Sequence, residues 1–241
     1  MAGRRSPLPF PSRLPLPVRI VAGSLRRRTL LPPAGEQTRP ITDRAKEQLF
    51  ENLGGELPGL RVLDAFSGTG TIGLEALSRG AAACVFLEAD KRTHGLLREN
   101  VDRLGVADRS VCWRTDILRT SFKPRRTEDV TLDPLPYDLL FFDPPYKMAA
   151  GVEKGRPLYK SLQRCGRDGV SAADAELILR VPAELDVTPP DCWRQYRELR
   201  VGGMKFLMCD RVAEAEGEDD AAGGDGSAGG DGASPDGTAA A

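Results

Sequence analysis

The sequence predicts an α/β protein: one mostly parallel, seven-stranded sheet covered by helices, entered by a basic hairpin and helix and closed by an antiparallel hairpin. Three observations predict it. Short apolar runs alternate with helical stretches from residue 61 to residue 181, the pattern of βαβ units. A glycine-rich turn, Gly68-Thr69-Gly70-Thr71-Ile72-Gly73, closely follows the first of those runs and opens a helix. Two strand-like runs, 196–201 and 205–210, meet at Gly202-Gly203.

Taken in order, residues 1–17 hold five prolines and are expected to form a disordered leader. Residues 18–22 and 26–31 read as two short strands around Gly23, a hairpin bearing Arg26, Arg27 and Arg28. Thr42 or Asp43 is placed to cap a helix running to about residue 53, with Ala45, Leu49, Phe50 and Leu53 as its apolar stripe. Residues 18–54 therefore make an arm and 55–211 the main domain. There, a strand from residue 61 enters the glycine turn, and the helix after it ends at Gly80. A strand at 83–87 closes on Glu88-Ala89-Asp90, a helix spans 91–104, and a strand near 111–114 ends in Thr115-Asp116. Residues 123–136 are polar and proline-containing, hence a loop.

The run Asp138-Leu139-Leu140-Phe141-Phe142 reads as a buried strand, stopped by Asp143-Pro144-Pro145-Tyr146. The prolines are expected to hold Asp143, Pro144 and Tyr146 on stiff, non-helical backbone at its carboxyl end. Residues 147–157 form a candidate lid beside Tyr146, followed by a helix at 158–164, a strand at 175–181 and the terminal hairpin. Residues 212–241 are dominated by Gly, Ala, Asp and Glu, and are expected to be a disordered acidic tail.

Charge is nearly balanced overall at -1, but unevenly placed. Residues 1–50 carry +7, residues 212–241 carry -8, and the stretch between has 24 charges of each sign. A basic arm beside a neutral domain suits a polyanion, with Arg19, Arg26, Arg27, Arg28, Arg39 and Arg44 as candidate RNA contacts; clustered guanidiniums grip phosphates as bidentate forks. The plainer alternative is an edge strand guarded by charge. Five cysteines without a C-x-x-C pair read as reduced core residues, and a single histidine, His94, argues against a catalytic triad or a multi-histidine metal site. No apolar run approaches the ~18 residues of a membrane span. The start lacks a secretory apolar segment; cytoplasm is the expected location, and an Arg-rich, acid-free start is also compatible with a transit peptide.

The glycine turn matches a dinucleotide fingerprint literally, yet Asp64-Ala65-Phe66-Ser67 intervenes between strand and turn. An acid at the strand tip opposes a pyrophosphate but suits the cationic methionine portion of S-adenosylmethionine, which is the expected cofactor. Asp64, Phe66, Gly68 and Gly70 would line its site, Glu88, 20 residues beyond Gly68, would take the ribose diol, and Asp116 the adenine amine. At Asp143-Pro144-Pro145-Tyr146, the carboxylate and the Pro144 carbonyl can accept the two hydrogens of an exocyclic amine while Tyr146 stacks on its ring.

With Asp64-x-Phe-x-Gly-x-Gly and Asp143-Pro-Pro-Tyr on one chain, the sequence resembles the amino-methyltransferases of nucleic acids. Arg19-Ile20-Val21-Ala22-Gly23, Arg39-Pro40-x-x-Asp43-Arg44, Leu49-Phe50 and the run from Gly73 to Ala81 narrow the resemblance to the RsmD-type family over residues 18–211. The resemblance implies the Rossmann-like fold of S-adenosylmethionine-dependent methyltransferases and methylation of a guanine N2 amine in small-subunit (16S) ribosomal RNA. It also implies the ribosomal RNA, the small subunit or its assembly intermediate as partner, with neither metal nor membrane, and a monomer as the expected state. Three positions depart from the family pattern: Arg27 where Arg-Gly-Arg is usual, Ile41 where Thr usually follows Arg-Pro, and Gly202-Gly203-Met204-Lys205 where Tyr-Gly-x-Thr is common. Adenine-N6 and glutamine-amide methyltransferases are the rival enzymes, both favouring Asn at the position of Asp143; the rival from another class is a non-catalytic RNA-binding protein of the same fold.

Overall fold

A computed structural model describes residues 18–32, 41–124 and 133–212. The expected leader, acidic tail and Arg39, with most of the expected 123–136 loop, lie outside the described residues.

The sheet has seven strands: β1 Arg61–Ala65, β2 Ala83–Glu88, β3 Ser110–Arg114, β4 Tyr137–Phe142, β5 Ser171–Pro182, β6 Trp193–Val201 and β7 Met204–Arg211. Their spatial order is β3-β2-β1-β4-β5-β7-β6, with β7 antiparallel to both neighbours and the remaining pairs parallel. The helices are α1 Asp43–Asn52, α2 Thr71–Ser78, α3 Lys91–Leu104, α4 Tyr146–Ala149 and α5 Pro157–Cys165. Because both sheet faces are covered, the inner strands read as unbroken apolar runs. Their side chains alternate between two cores. Val62, Leu139, Phe141 and Ile178 face the core shared with Leu49 of α1 and Leu74 of α2, whereas Leu63, Leu140, Phe142 and Leu179 face the one shared with Leu162 of α5. The chain reverses its winding between β1 and β4, so the crevice at their carboxyl ends is the switch point where open α/β sheets bind ligands.

Local signals explain the helix ends. Thr42 Oγ1 accepts from the Ala45 N–H at 3.2 Å to start α1, and Asp90 Oδ1 accepts from the Thr93 N–H at 2.8 Å to start α3. Gly105, at φ 69°, ends α3. Three expectations need correction. The arm hairpin is not two strands but a single Arg19–Thr29 bridge, closed by backbone bonds from Ile20 to Arg28 and from Leu30 to Val18. Tyr146 is the first residue of α4 rather than non-helical, because the Pro145 carbonyl accepts from the Met148 and Ala149 N–H groups at 2.7 and 3.0 Å. The 147–157 segment therefore begins helical. Finally, β5 starts at Ser171 and β6 at Trp193, each a few residues early, and each pairing there passes an irregularity in register.

The arm packs by side chains of α2 rather than by strand pairing. Glu75, fully buried, accepts from the Val21 and Ala22 N–H groups at 2.7 and 2.9 Å, and Arg79 donates to it at 3.0 Å. Buried Lys46 donates to the Arg19 carbonyl and lies 3.6 Å from Glu75; burial lowers its pKa, although Glu75 and Asp43 counter the effect. Ser78 closes the set by donating to the Ala22 carbonyl and accepting from the Leu25 N–H at 2.9 Å. On the far side, Asn100 accepts from the Leu31 N–H at 2.8 Å.

At the hairpin turn, Arg27 adopts φ 71°, the left-handed conformation that glycine takes without steric cost. Its side chain is exposed. Arg27→Gly is therefore expected to raise stability by about 0.5–1 kcal/mol, as the relieved backbone strain exceeds glycine's greater unfolded-state entropy. Thermal unfolding checks this, and an unchanged or lower Tm would show that the arginine side chain supports the folded arm.

Candidate active site

The ends of β1, β2 and β3 bring the expected cofactor residues into one row. Asp64 is buried near the tip of β1, and its Oδ2 accepts from the Gly73 N–H at 2.8 Å, tying the strand to the first turn of α2. That close approach needs glycine: a Cβ on residue 73 would lie 2.4 Å from Phe86 Cε1 and 2.6 Å from Cys84 Sγ. Gly68, at φ 57°, is different, since a Cβ there would project into open space. Its backbone is thus bare toward the crevice. Glu88 ends β2 and accepts from the Gly68 N–H at 3.0 Å and the Asp90 N–H at 2.8 Å, leaving lone pairs on both oxygens. Asp116 follows β3, is exposed, and accepts from the Leu118 N–H at 2.9 Å. Phe66, at φ 63°, and Gly70, the N-cap of α2, complete the loop.

The electrostatics of this row follow from burial. Asp64 is pushed up to about 8, first by desolvation and further by the Asp143 and Glu88 carboxylates, against the pull of the Gly73 N–H. Burial likewise raises Glu88. Three acids around a bare glycine turn make no cradle for a diphosphate; Glu88 and Asp116 suit hydroxyls and an amine, and a ligand carrying positive charge would draw Asp64 back to its ionised form.

Next to the row, at the end of β4, the Asp143 N–H donates to the Ala65 carbonyl at 3.3 Å, and the Asp143 charge is felt at Asp64. The expected substrate residues and the glycine turn therefore share one crevice. Pro144 is buried; among the described residues no donor meets its carbonyl, whereas the Pro145 carbonyl is consumed by α4. Tyr146 is 38% exposed, with its ring at the mouth. Ile41, just ahead of α1, and Leu49 line the crevice wall beside Asp143, so the segment joining the arm to the sheet reaches the site. Arg19 pairs with Asp43 at 2.7 Å, and Arg26, Arg27, Arg28 and Arg44 are exposed.

The sequence profile of the family described as Conserved hypothetical protein 95 matches residues 18–209. Ribosomal RNA small subunit methyltransferase D of Escherichia coli K12 is 31% identical over 207 residues, covering 85% of this chain and 94% of that protein. The chain belongs to the RsmD-type family. Solved structures agree with an RsmD-type fold. The Escherichia coli protein yhhF, described as a candidate methyltransferase, superposes with a TM-score of 0.64 at 26% identity, covering 82% of this chain and 99% of that one. The hypothetical protein TTHA0928 of Thermus thermophilus does so with a TM-score of 0.58 at 27% identity, over 79% and 98%. The fold is that of the S-adenosylmethionine-dependent methyltransferases.

One residue beside Asp143 was not anticipated from the sequence. Arg180, near the end of β5, is buried, and its Nε lies 2.5 Å from Asp143 Oδ1. The contact is a charge pair rather than an aligned hydrogen bond. Its guanidinium carbon is 6.0 Å from the Tyr146 ring centroid. The available signal was a lone cation set between apolar residues, Leu177-Ile178-Leu179 before it and Val181 after it. His94, by contrast, takes a structural place, with Nε2 3.2 Å from the Cys112 carbonyl.

Proposed function

We propose that this protein is an S-adenosylmethionine-dependent ribosomal RNA methyltransferase that modifies the exocyclic N2 amine of a guanine in the small-subunit (16S) RNA. The observation that carries the reading is the adjacency of two acceptors, the Asp143 carboxylate and the Pro144 carbonyl, to the acid-lined glycine turn. S-adenosylmethionine would supply an electrophilic methyl group on a sulfonium. Asp64 and the Gly68–Gly70 backbone would hold the methionine end, Glu88 the ribose diol and Asp116 the adenine amine, with Phe66 walling the pocket.

The remaining work falls to Asp143, Pro144 and Tyr146. A guanine amine is a weak nucleophile because its lone pair is delocalised into the ring. Accepting both N–H hydrogens turns the amine out of conjugation, aims the lone pair and stabilises positive charge developing on nitrogen. The transfer would exchange the sulfonium S–C bond for a C–N bond, and the surplus N–H proton would leave along the acceptor side. Tyr146, exposed at the mouth, would stack on the splayed base, worth ~1–3 kcal/mol.

Arg19, Arg26, Arg27, Arg28, Arg39 and Arg44 would carry the RNA backbone. If the arm makes about five phosphate contacts, log affinity falls with log salt at a slope of roughly -3.5 to -4.5. Filter binding across a salt series checks this, and a flat response would remove the arm from RNA binding. The activity itself is tested with labelled methyl donor on small ribosomal subunits, bulk DNA and a release factor. Label in the N2-methylguanine of subunit RNA is the expected result; label in adenine or in protein would overturn the substrate. The enzyme would act in the cytoplasm, on the small subunit or its assembly intermediate.

A further inference from the structure

We propose that Arg180 is a positioning residue of the transfer site: it fixes the Asp143 carboxylate as an anion, with one oxygen held and the other left to accept from the substrate amine. The inference rests on the reading of Asp143 as the amine acceptor and adds the group that makes it competent. Sheet register places the pair. Phe142 lies opposite Leu179, so the next residues along β4 and β5, Asp143 and Arg180, come level at the strand ends. Both point to the face that carries α1 and α2, as Phe141 and Ile178 do.

That face is apolar around the carboxylate. From the segment ahead of α1 comes Ile41, from α1 Leu49, from α2 Ile72 and from β7 Phe206. Among the described residues, the ionisable groups that meet Asp143 are Arg180 from β5 and Asp64 from β1, with Tyr146 of α4 over the Arg180 guanidinium. Of these, Arg180 is the one cation. Asp143 Oδ1 is sealed from solvent against it, while the side chain as a whole remains 23% exposed, so the open part of the carboxyl faces the crevice.

The chemistry needs the anion. An ionised carboxylate is an acceptor at both oxygens, whereas a protonated one carries an O–H donor that opposes an N–H. Burial works against ionisation here, pushing Asp143 up to about 6 even with Arg180 pulling it down. Without the guanidinium, the apolar wall would favour the neutral acid. Arg180 Nε and Nη1 find no aligned acceptor among the described residues, so the cation is committed to charge stabilisation rather than to holding a loop.

The test compares wild type with Arg180→Gln and Arg180→Lys in single-turnover methyl transfer to small subunits from about pH 5.5 to 9. The wild-type rate should fall on the acid side near pH 6. Arg180→Gln should move that limb up by a unit or more, losing about threefold or more near pH 6.5 and recovering most of it by pH 9, while Arg180→Lys stays close to wild type. Carbon-13 NMR of the full-length protein, with the Asp143 carboxyl identified by its loss in Asp143→Asn, gives the same titration without substrate. A midpoint below neutral in wild type and above it in Arg180→Gln supports the proposal. A rate lost equally at all pH values, or an unmoved midpoint, overturns it. If Arg180→Gln does not fold, Arg180→Met takes its place with the same two readings, and a wild-type midpoint above neutral overturns the proposal by itself. Absent wild-type turnover with a normal carboxyl titration would instead indict the function and leave the Arg180–Asp143 relation standing.

Discussion

Asp143→Ala is expected to lower single-turnover methyl transfer by about 10²–10³-fold or more while leaving methyl-donor affinity within a few-fold. The asymmetry follows from position. Asp143 sits beside the donor crevice, but the residues assigned to the donor are Asp64, Gly68, Glu88 and Asp116 on three other strand ends. The substitution has a structural cost as well, because it leaves the buried Arg180 guanidinium without its counter-charge. Removing one member of such a pair costs up to about 3 kcal/mol, so the folded fraction must be measured at the assay temperature. Calorimetry with S-adenosylhomocysteine checks the donor side. Unchanged turnover in a folded variant would remove Asp143 from the chemistry.

Gly23→Ala is the second large effect. Gly23 has φ 79°, and a Cβ there would lie 1.9 Å from the Ser78 carbonyl oxygen, inside backbone that cannot yield. The same carbonyl accepts from the Ser24 N–H at 2.8 Å, so relieving the clash breaks the contact that seats the arm on α2. Strain and displacement together are expected to cost about 3 kcal/mol. Thermal unfolding reads that loss. RNA binding should weaken and its salt slope become shallower, while donor binding persists at temperatures where the sheet remains folded. Full RNA affinity with an unchanged slope would show that the hairpin's seat does not set the phosphate contacts.

Much of the domain was legible because its cause is local. The run 138–142 is apolar since two cores enclose it, and Asp143-Pro144 ends it where proline must. Asp90 and Gly105 bracket α3 by capping chemistry that sequence carries openly. What was not legible depends on distant partners. Arg180 is the one cation in β5, and its meaning lies 37 residues away at Asp143, joined to it only by the strand register. The arm's extent was misread because its N–H groups are met by the Glu75 side chain, 54 and 53 residues on, rather than by a second strand. Glu75 and Lys46, both charged, are buried for the arm's sake. The Arg27 departure from the family pattern was legible; that it keeps glycine's backbone conformation was not.

Helix α2 has eight residues, about 12 Å end to end. Its first turn binds the tip of β1 through Gly73 and Asp64, and Glu75 and Ser78 hold the hairpin. The element that shapes one ligand's cradle is therefore also the anchor of the other's landing site. Deleting residues 18–32 would strand two buried ions and a hydroxyl whose partners lie in that segment, so it is no detachable accessory, and grafting it onto another scaffold would require transplanting the helix with it.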